Sequence, residues 1–194
     1  MRITVLYGSP RREGNTRQLA VPVLNVFHTA GCETEEFFLY DMHLEGCTAC
    51  RCCQQQWEDF GCPIPDDMQK IFDAVLRADV ILLVTPIYSW SCPAPLKAVL
   101  DRLVYGMNKY YGKMKGPSLW AGKHLAMITT CGYPPEKGAD LFEEAMKRYC
   151  RHSGLLYDGM LCGQHRGYDT VFMDEEKRRQ AEAFAKRWTE ILPP

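Results

Sequence analysis

Gly8-Ser9-Pro10-Arg11-Arg12-Glu13-Gly14-Asn15-Thr16 follows directly on the apolar run Arg2-Ile3-Thr4-Val5-Leu6-Tyr7. A short run rich in Val and Ile, closed by Gly-Ser-Pro, reads as a buried strand ending in a turn. Asn15 or Thr16 then opens a helix, because Leu19, Ala20, Val23, Leu24 and Phe27 recur at helical spacing up to Ala30-Gly31. The helix should span residues 16–30, with a kink about one turn in, where Pro22 removes a backbone donor. The loop carries what an anionic phosphate needs. It has hydroxyls at Ser9 and Thr16, an amide at Asn15, a guanidinium at Arg11 or Arg12, and a helix N-terminus behind them. No Gly-Lys-Ser/Thr follows, and the Gly-x-Gly-x-x-Gly spacing is missing, so neither a Walker loop nor a dinucleotide fingerprint is present.

Outward from this loop the chain alternates. Residues 33–39 form a second strand. Asp66 and Asp67 cap a helix carrying Met68, Ile71, Phe72, Val75 and Leu76, and residues 79–84 make the most uniformly apolar strand. A helix over residues 94–105, a strand over 123–130, a helix over 138–152 and a strand over 155–162 follow. The last helix runs from Asp174 to Leu192 with Phe184, Trp188 and Ile191 facing inward. Five strands alternating with five helices demand right-handed crossovers and a parallel α/β sheet covered on both faces. The doubly wound order 2-1-3-4-5 suits them and leaves a crevice between strands one and three, where residues 8–16 and 85–93 meet. Residues 106–122, rich in Gly, Lys and Tyr, read as a loop or flap. No repeat or linker divides residues 1–194, which are expected to form one domain with a cysteine-rich loop at 41–65.

A formal net charge of -1 and scattered Lys and Arg give no field for nucleic acid. No apolar stretch approaches a membrane span, and the first residues are too short an apolar run for a signal-peptide core, so a cytoplasmic protein is expected. The ten cysteines are therefore read as thiols. Five are dispersed like small buried hydrophobes, whereas Cys47, Cys50, Cys52, Cys53 and Cys62 crowd one segment. Cys47-x2-Cys50-x2-Cys53 is a spacing that iron-sulfur clusters use. Cys62, after eight intervening residues rather than the usual shorter gap, would complete four thiolates for a [4Fe-4S] cluster, with Cys52 an extra thiol. Four thiolates also suit zinc, and plain thiols are the third reading.

Taken together, several motifs resemble those of the NAD(P)H-dependent FMN reductases and iron-sulfur flavoproteins of the flavodoxin superfamily. They are Gly8-Ser9-Pro10-Arg11 with Gly14-Asn15-Thr16, Cys47-x-x-Cys50-x-x-Cys53, Gly61-Cys62, Asp66-Asp67-Met68, Ala78-Asp79, Pro86-Ile87-Tyr88, and Lys97 with Leu100-Asp101-Arg102. The match in order and spacing covers roughly the first 130 residues. The resemblance implies a flavodoxin-like three-layer sandwich with FMN phosphate on Ser9, Arg11, Asn15 and Thr16. It implies Pro86, Ile87, Tyr88, Ser89 and Trp90 along the flavin edge, and Thr130, Cys131 and Gly132 by its pyrimidine side. It implies an oxidoreductase passing electrons from NAD(P)H through FMN to a flavin, quinone or similar small acceptor, with no essential side-chain acid or base. The alternative is an electron carrier with a [4Fe-4S] cluster on Cys47, Cys50, Cys53 and Cys62. A non-catalytic flavodoxin-like domain is a third possibility. A homodimer or homotetramer is implied too, with Lys97 and Arg102 at the interface and residues 106–122 shaping a subunit contact or the acceptor pocket.

Overall fold

Five parallel strands, β1 (Arg2–Tyr7), β2 (Glu33–Phe38), β3 (Val80–Pro86), β4 (His124–Cys131) and β5 (Leu156–Gln164), pair in the order β2-β1-β3-β4-β5. The computed structural model describes residues 1–167 and 170–191, the last three as backbone only. Helices α1 (Asn15–Thr29), α2 (Met68–Arg77), α3 (Ala94–Met107), α4 (Pro135–Gly138), α5 (Asp140–Ser153) and α6 (Glu175–Ile191) connect and cover the strands. The expected sheet order is what the structure shows. The expected helix end at Leu192 and the inward face of Ile191 lie outside the described residues.

β3 is buried at every position, as a central strand covered on both faces must be. Strand alternation sorts the core into two layers. Ile3, Val5, Tyr7, Val80, Leu82 and Val84 face α1 and α6, while Leu6, Ile81 and Leu83 face α2, α3 and α5. Pro22 does not end α1, which is continuous from Asn15 to Thr29 with the proline buried against the layer. One lost hydrogen bond is offset there by the packing of Leu19, Val23 and Phe27. Leu76, expected in the core, is exposed.

Residues 106–122 are anchored rather than free. Asn108 and Ser118 form a bridge, the Lys109 N–H donates to the Pro117 carbonyl (2.9 Å), and the Leu119 N–H donates to Met107 (2.8 Å). Asn108, Lys109 and Trp120 are fully buried, and the Asn108 amide reaches Ser153 and Trp120. Polar composition suggested a solvated flap, but each buried polar head finds partners inside the fold. Among the described residues no helix is long and apolar enough to cross a membrane.

Candidate functional site

Three loops leave the carboxyl ends of β1, β3 and β4, and direct contacts join them. The Gly8 N–H donates to the Val84 carbonyl (2.9 Å) and the Ile87 N–H to the Thr130 carbonyl (2.8 Å). The buried hydroxyls of Thr16 and Thr130 share a hydrogen bond of 2.6 Å. Residues 8–16, 86–91 and 129–133 thus form one edge, at the switch point where connections from β1 and β3 leave for opposite faces.

The first loop is built around Gly14. Its N–H donates to the Arg11 carbonyl (3.2 Å), and the Ser9 hydroxyl bonds both the N–H and the carbonyl of Arg11. A Cβ on residue 14 would come within 3.0 Å of the Arg11 Cβ, so the turn needs the missing side chain. α1 begins with no side-chain cap and no acidic residue in its first turn, leaving the N–H groups of Asn15, Thr16 and Arg17 without helical acceptors. Arg12 is engaged elsewhere, paired with Asp41 and lying 4.3 Å over the Phe38 ring. Arg11 is exposed, and its guanidinium has no partner among the described residues. An unpartnered guanidinium, a hydroxyl and open amides at a helix start fit a phosphate dianion.

The second loop carries backbone strain. Tyr88 and Ser91 exchange hydrogen bonds of 2.8 and 3.0 Å, closing a two-residue turn in which Ser89 (φ +50°) and Trp90 (φ +58°) are both left-handed. Asn-Gly is the usual occupant of such a turn, and a left-handed non-glycine residue costs about 1–2 kcal/mol. The turn presents Tyr88 and Trp90 at 43% and 48% exposure. The Trp90 indole donates to the Lys137 carbonyl (2.9 Å) and stacks with the exposed Tyr133 at 6.1 Å between centroids. An aromatic wall therefore bridges the loops after β3 and β4. Tyr133 closes the stretch 129–133 expected by the flavin's pyrimidine side, whereas Lys137 was not among the expected site residues, because its link to Trp90 is tertiary.

Cys131 is buried beside this edge. Its sulfur lies 3.1 Å from the Tyr133 carbonyl oxygen and 3.6 Å from the sulfur of Cys162 on β5. The contact raises the Cys131 pKa and lowers that of Cys162, as expected when one thiol donates to the other. The two were expected to be independent packing residues. Only the parallel pairing of Thr129 with Cys162 brings them together.

The cysteine loop lies over the end of α3. Cys47, Cys50, Cys53 and Cys62 line one cavity of about 120 Å³, together with Phe60, Arg102 and Tyr105. All ten cysteines are free thiols. Among the described residues no three His, Cys, Asp or Glu side chains converge closely enough to share a single metal ion, so the geometry gives zinc no support. A cluster is a different test, since its body spreads four ligands around a cavity instead of gathering them on a point. The soft donor set and the shared cavity fit that group.

Asp67 stands at the N-cap of α2, but its side chain makes no cap hydrogen bond there, and both acids bind the backbone of the cysteine loop. Asp66 accepts from the N–H groups of Glu45 (2.8 Å) and Met68 (3.2 Å) and pairs with Arg102; Asp67 accepts from His43 (2.9 Å). Burial pushes the Asp66 carboxyl up, but Arg102 and the two backbone donors together hold it below the usual carboxylate range. Arg102 is itself buried, at 2% side-chain exposure, which corrects the expectation that it sits at a subunit interface. Lys97, expected there too, pairs with Asp101 at 2.7 Å.

The sequence profile of the NADPH-dependent FMN reductase family matches residues 1–148, which take in all three loops and the cysteine segment. The chain belongs to that family. As an FMN reductase family member it is 28% identical to a putative NAD(P)H-dependent FMN-containing oxidoreductase, YwqN, from Bacillus subtilis, over 96% of this chain and 98% of that one. It is 38% identical to an iron-sulfur flavoprotein from Methanosarcina thermophila over 111 residues. That match covers 57% of this chain and 56% of the relative, so the chain spans only about half of that protein's length. Its fold is shared by an NAD(P)H:quinone oxidoreductase from Methanothermobacter marburgensis, with a TM-score of 0.70 at 20% identity, covering 100% of this chain and 98% of the other. For the FMN reductase family member described here, β5 and α6 lie beyond the matched region.

Proposed function

We propose that this chain takes electrons from NAD(P)H into bound FMN and passes them to a small acceptor such as a flavin or a quinone. The observation that carries the reading is the edge where the unpartnered Arg11 and the open amides of α1 adjoin the strained aromatic turn at 88–91. Bound FMN supplies the hydride and electron chemistry, and the protein supplies orientation and electrostatics. Ser9, Arg11, Asn15 and Thr16 hold the phosphate. Pro86, Ile87, Tyr88, Ser89 and Trp90 border the ring on one side, and Thr130, Cys131 and Gly132 on the other. Residues 1–194 act as one FMN-binding domain in a cytoplasmic homodimer or homotetramer.

Purified protein should bind FMN and oxidise NADH or NADPH when given a flavin or quinone. Failure to bind FMN overturns the reading, and FMN binding without turnover on any such acceptor reduces it to a carrier or a regulatory domain.

A second reading is supported by the cavity that Cys47, Cys50, Cys53 and Cys62 share. They would hold a [4Fe-4S] cluster, which adds one-electron chemistry alongside FMN. Anaerobically purified protein should then contain iron and sulfide and absorb in the visible beyond its flavin. Flavin colour without iron removes the cluster.

A further inference from the structure

Two buried cations adjoin the cysteine loop: Arg102 lines its cavity, whereas Lys109 does not and reaches only the loop's backbone. Lys109 arrives from the anchored excursion after α3 and is fully buried. Its ammonium donates to the carbonyls of Cys53 (2.9 Å), Asp59 (2.6 Å) and Phe60 (3.4 Å). Among the described residues no carboxylate pairs with it. Arg102 lines the cavity, donates to the Cys62 sulfur (3.3 Å) and the Glu45 carbonyl (3.2 Å), and pairs with Asp66. Its Nε is buried without a partner.

Carbonyl dipoles alone are poor compensation for a whole charge taken out of water. Arg102 and Lys109 bring two positive charges, and Asp66 returns one negative charge. Asp59 lies within the field of Lys109 without pairing with it, and the Cys53 and Cys62 sulfurs lie in the fields of Lys109 and Arg102 respectively. A bound cluster requires those sulfurs as thiolates, and its potential depends on net charge and on hydrogen bonds to sulfur. Glutamine in place of Lys109 could donate to carbonyls too, so the loop's need for donors does not explain why the donor is charged.

We propose that Arg102 and Lys109 are positioning residues whose buried charge balances the thiolates of the four-cysteine cavity and raises the reduction potential of an iron-sulfur cluster held there. The inference rests on the second reading above.

The test is a potentiometric titration of the reconstituted full chain, with iron and FMN per protein measured alongside. The wild type is taken first. K109Q should move the cluster midpoint to a more negative potential, because a cation that favours the reduced state is gone, while K109R stays near the wild type. D66N/R102Q, which exchanges the ion pair for a neutral hydrogen-bonding pair, should shift the same way, because Arg102 lines the cavity and Asp66 does not. Loss of iron from K109Q but not from K109R supports the same role. Unchanged midpoints in both K109Q and D66N/R102Q, or loss of iron from K109R as well as K109Q, overturn it and leave Lys109 a staple for loop carbonyls. No iron in the reconstituted wild type overturns the cluster reading, and this inference with it.

Discussion

Arg11 and Arg12 are neighbours in the chain, and the fold separates their tasks. Arg12 is spent on Asp41 and Phe38, while Arg11 faces solvent beside the open end of α1. One hydrogen bond to a charged group contributes about 1.5–3 kcal/mol, so R11A should weaken FMN binding by about 10- to 100-fold in a fluorescence titration. Its urea midpoint should stay where it was, and R12A should leave FMN affinity near the wild type. T16A is different, since the Thr16 hydroxyl is buried on Thr130. Leaving that partner unsatisfied costs about 1–3 kcal/mol of stability besides weakening FMN. Composition named both arginines, because nothing in two adjacent residues says which one β2 will claim. Asp66 gives a pH signature. A carboxyl whose folded pKa is depressed contributes stability that is full above the unfolded value of about 3.9 and is lost as pH falls through the lower folded value. D66N should therefore be less stable at pH 7 by about 3–5 kcal/mol, with Arg102 left unpaired, and should lose less on acidification, as urea melts between pH 7 and pH 3 will show.

At the scale of elements, the turn at 88–91 and the join between α3 and the cysteine loop are the informative pieces. Ser89 holds a left-handed backbone without being glycine. S89G should raise thermal stability by about 1 kcal/mol while changing the KM for the acceptor, because the strained turn aims Tyr88 and Trp90. Gly106 lets Phe60 lie on α3, since a Cβ there would meet the ring at 2.4 Å. G106A should cost about 1–3 kcal/mol in denaturant melts. The strands and long helices were legible because each is a run of apolar residues at the spacing of its own backbone. The excursion after α3 was misread for the opposite reason. Asn108 and Lys109 look like surface residues, and their burial depends on Ser153, Trp120 and the carbonyls of Cys53, Asp59 and Phe60, which no local pattern announces.

The whole molecule divides its labour between the two ends of one sheet. The carboxyl ends of β1, β3 and β4 carry the edge proposed for FMN, while Trp188 of α6 packs against His124 at the amino end of β4. W188A should lower stability by about 3–5 kcal/mol with FMN affinity per folded molecule unchanged, measured by calorimetry and flavin titration. Sheet order and the switch point were readable from the alternation of elements. The pairing of Cys131 with Cys162 and the burial of Arg102 were not, because they arise only when separate crossovers are stacked. The buried Lys109 also has a history within the life of each chain. It follows Cys62 by 47 residues (109 - 62). A ribosome adding about 5–20 residues per second completes the four-cysteine segment about 2–9 s before it makes the lysine whose ammonium binds the Cys53, Asp59 and Phe60 carbonyls. Each chain therefore holds its cysteines before it holds the side chain that pins their loop, and the order of that loop must wait for the later residue.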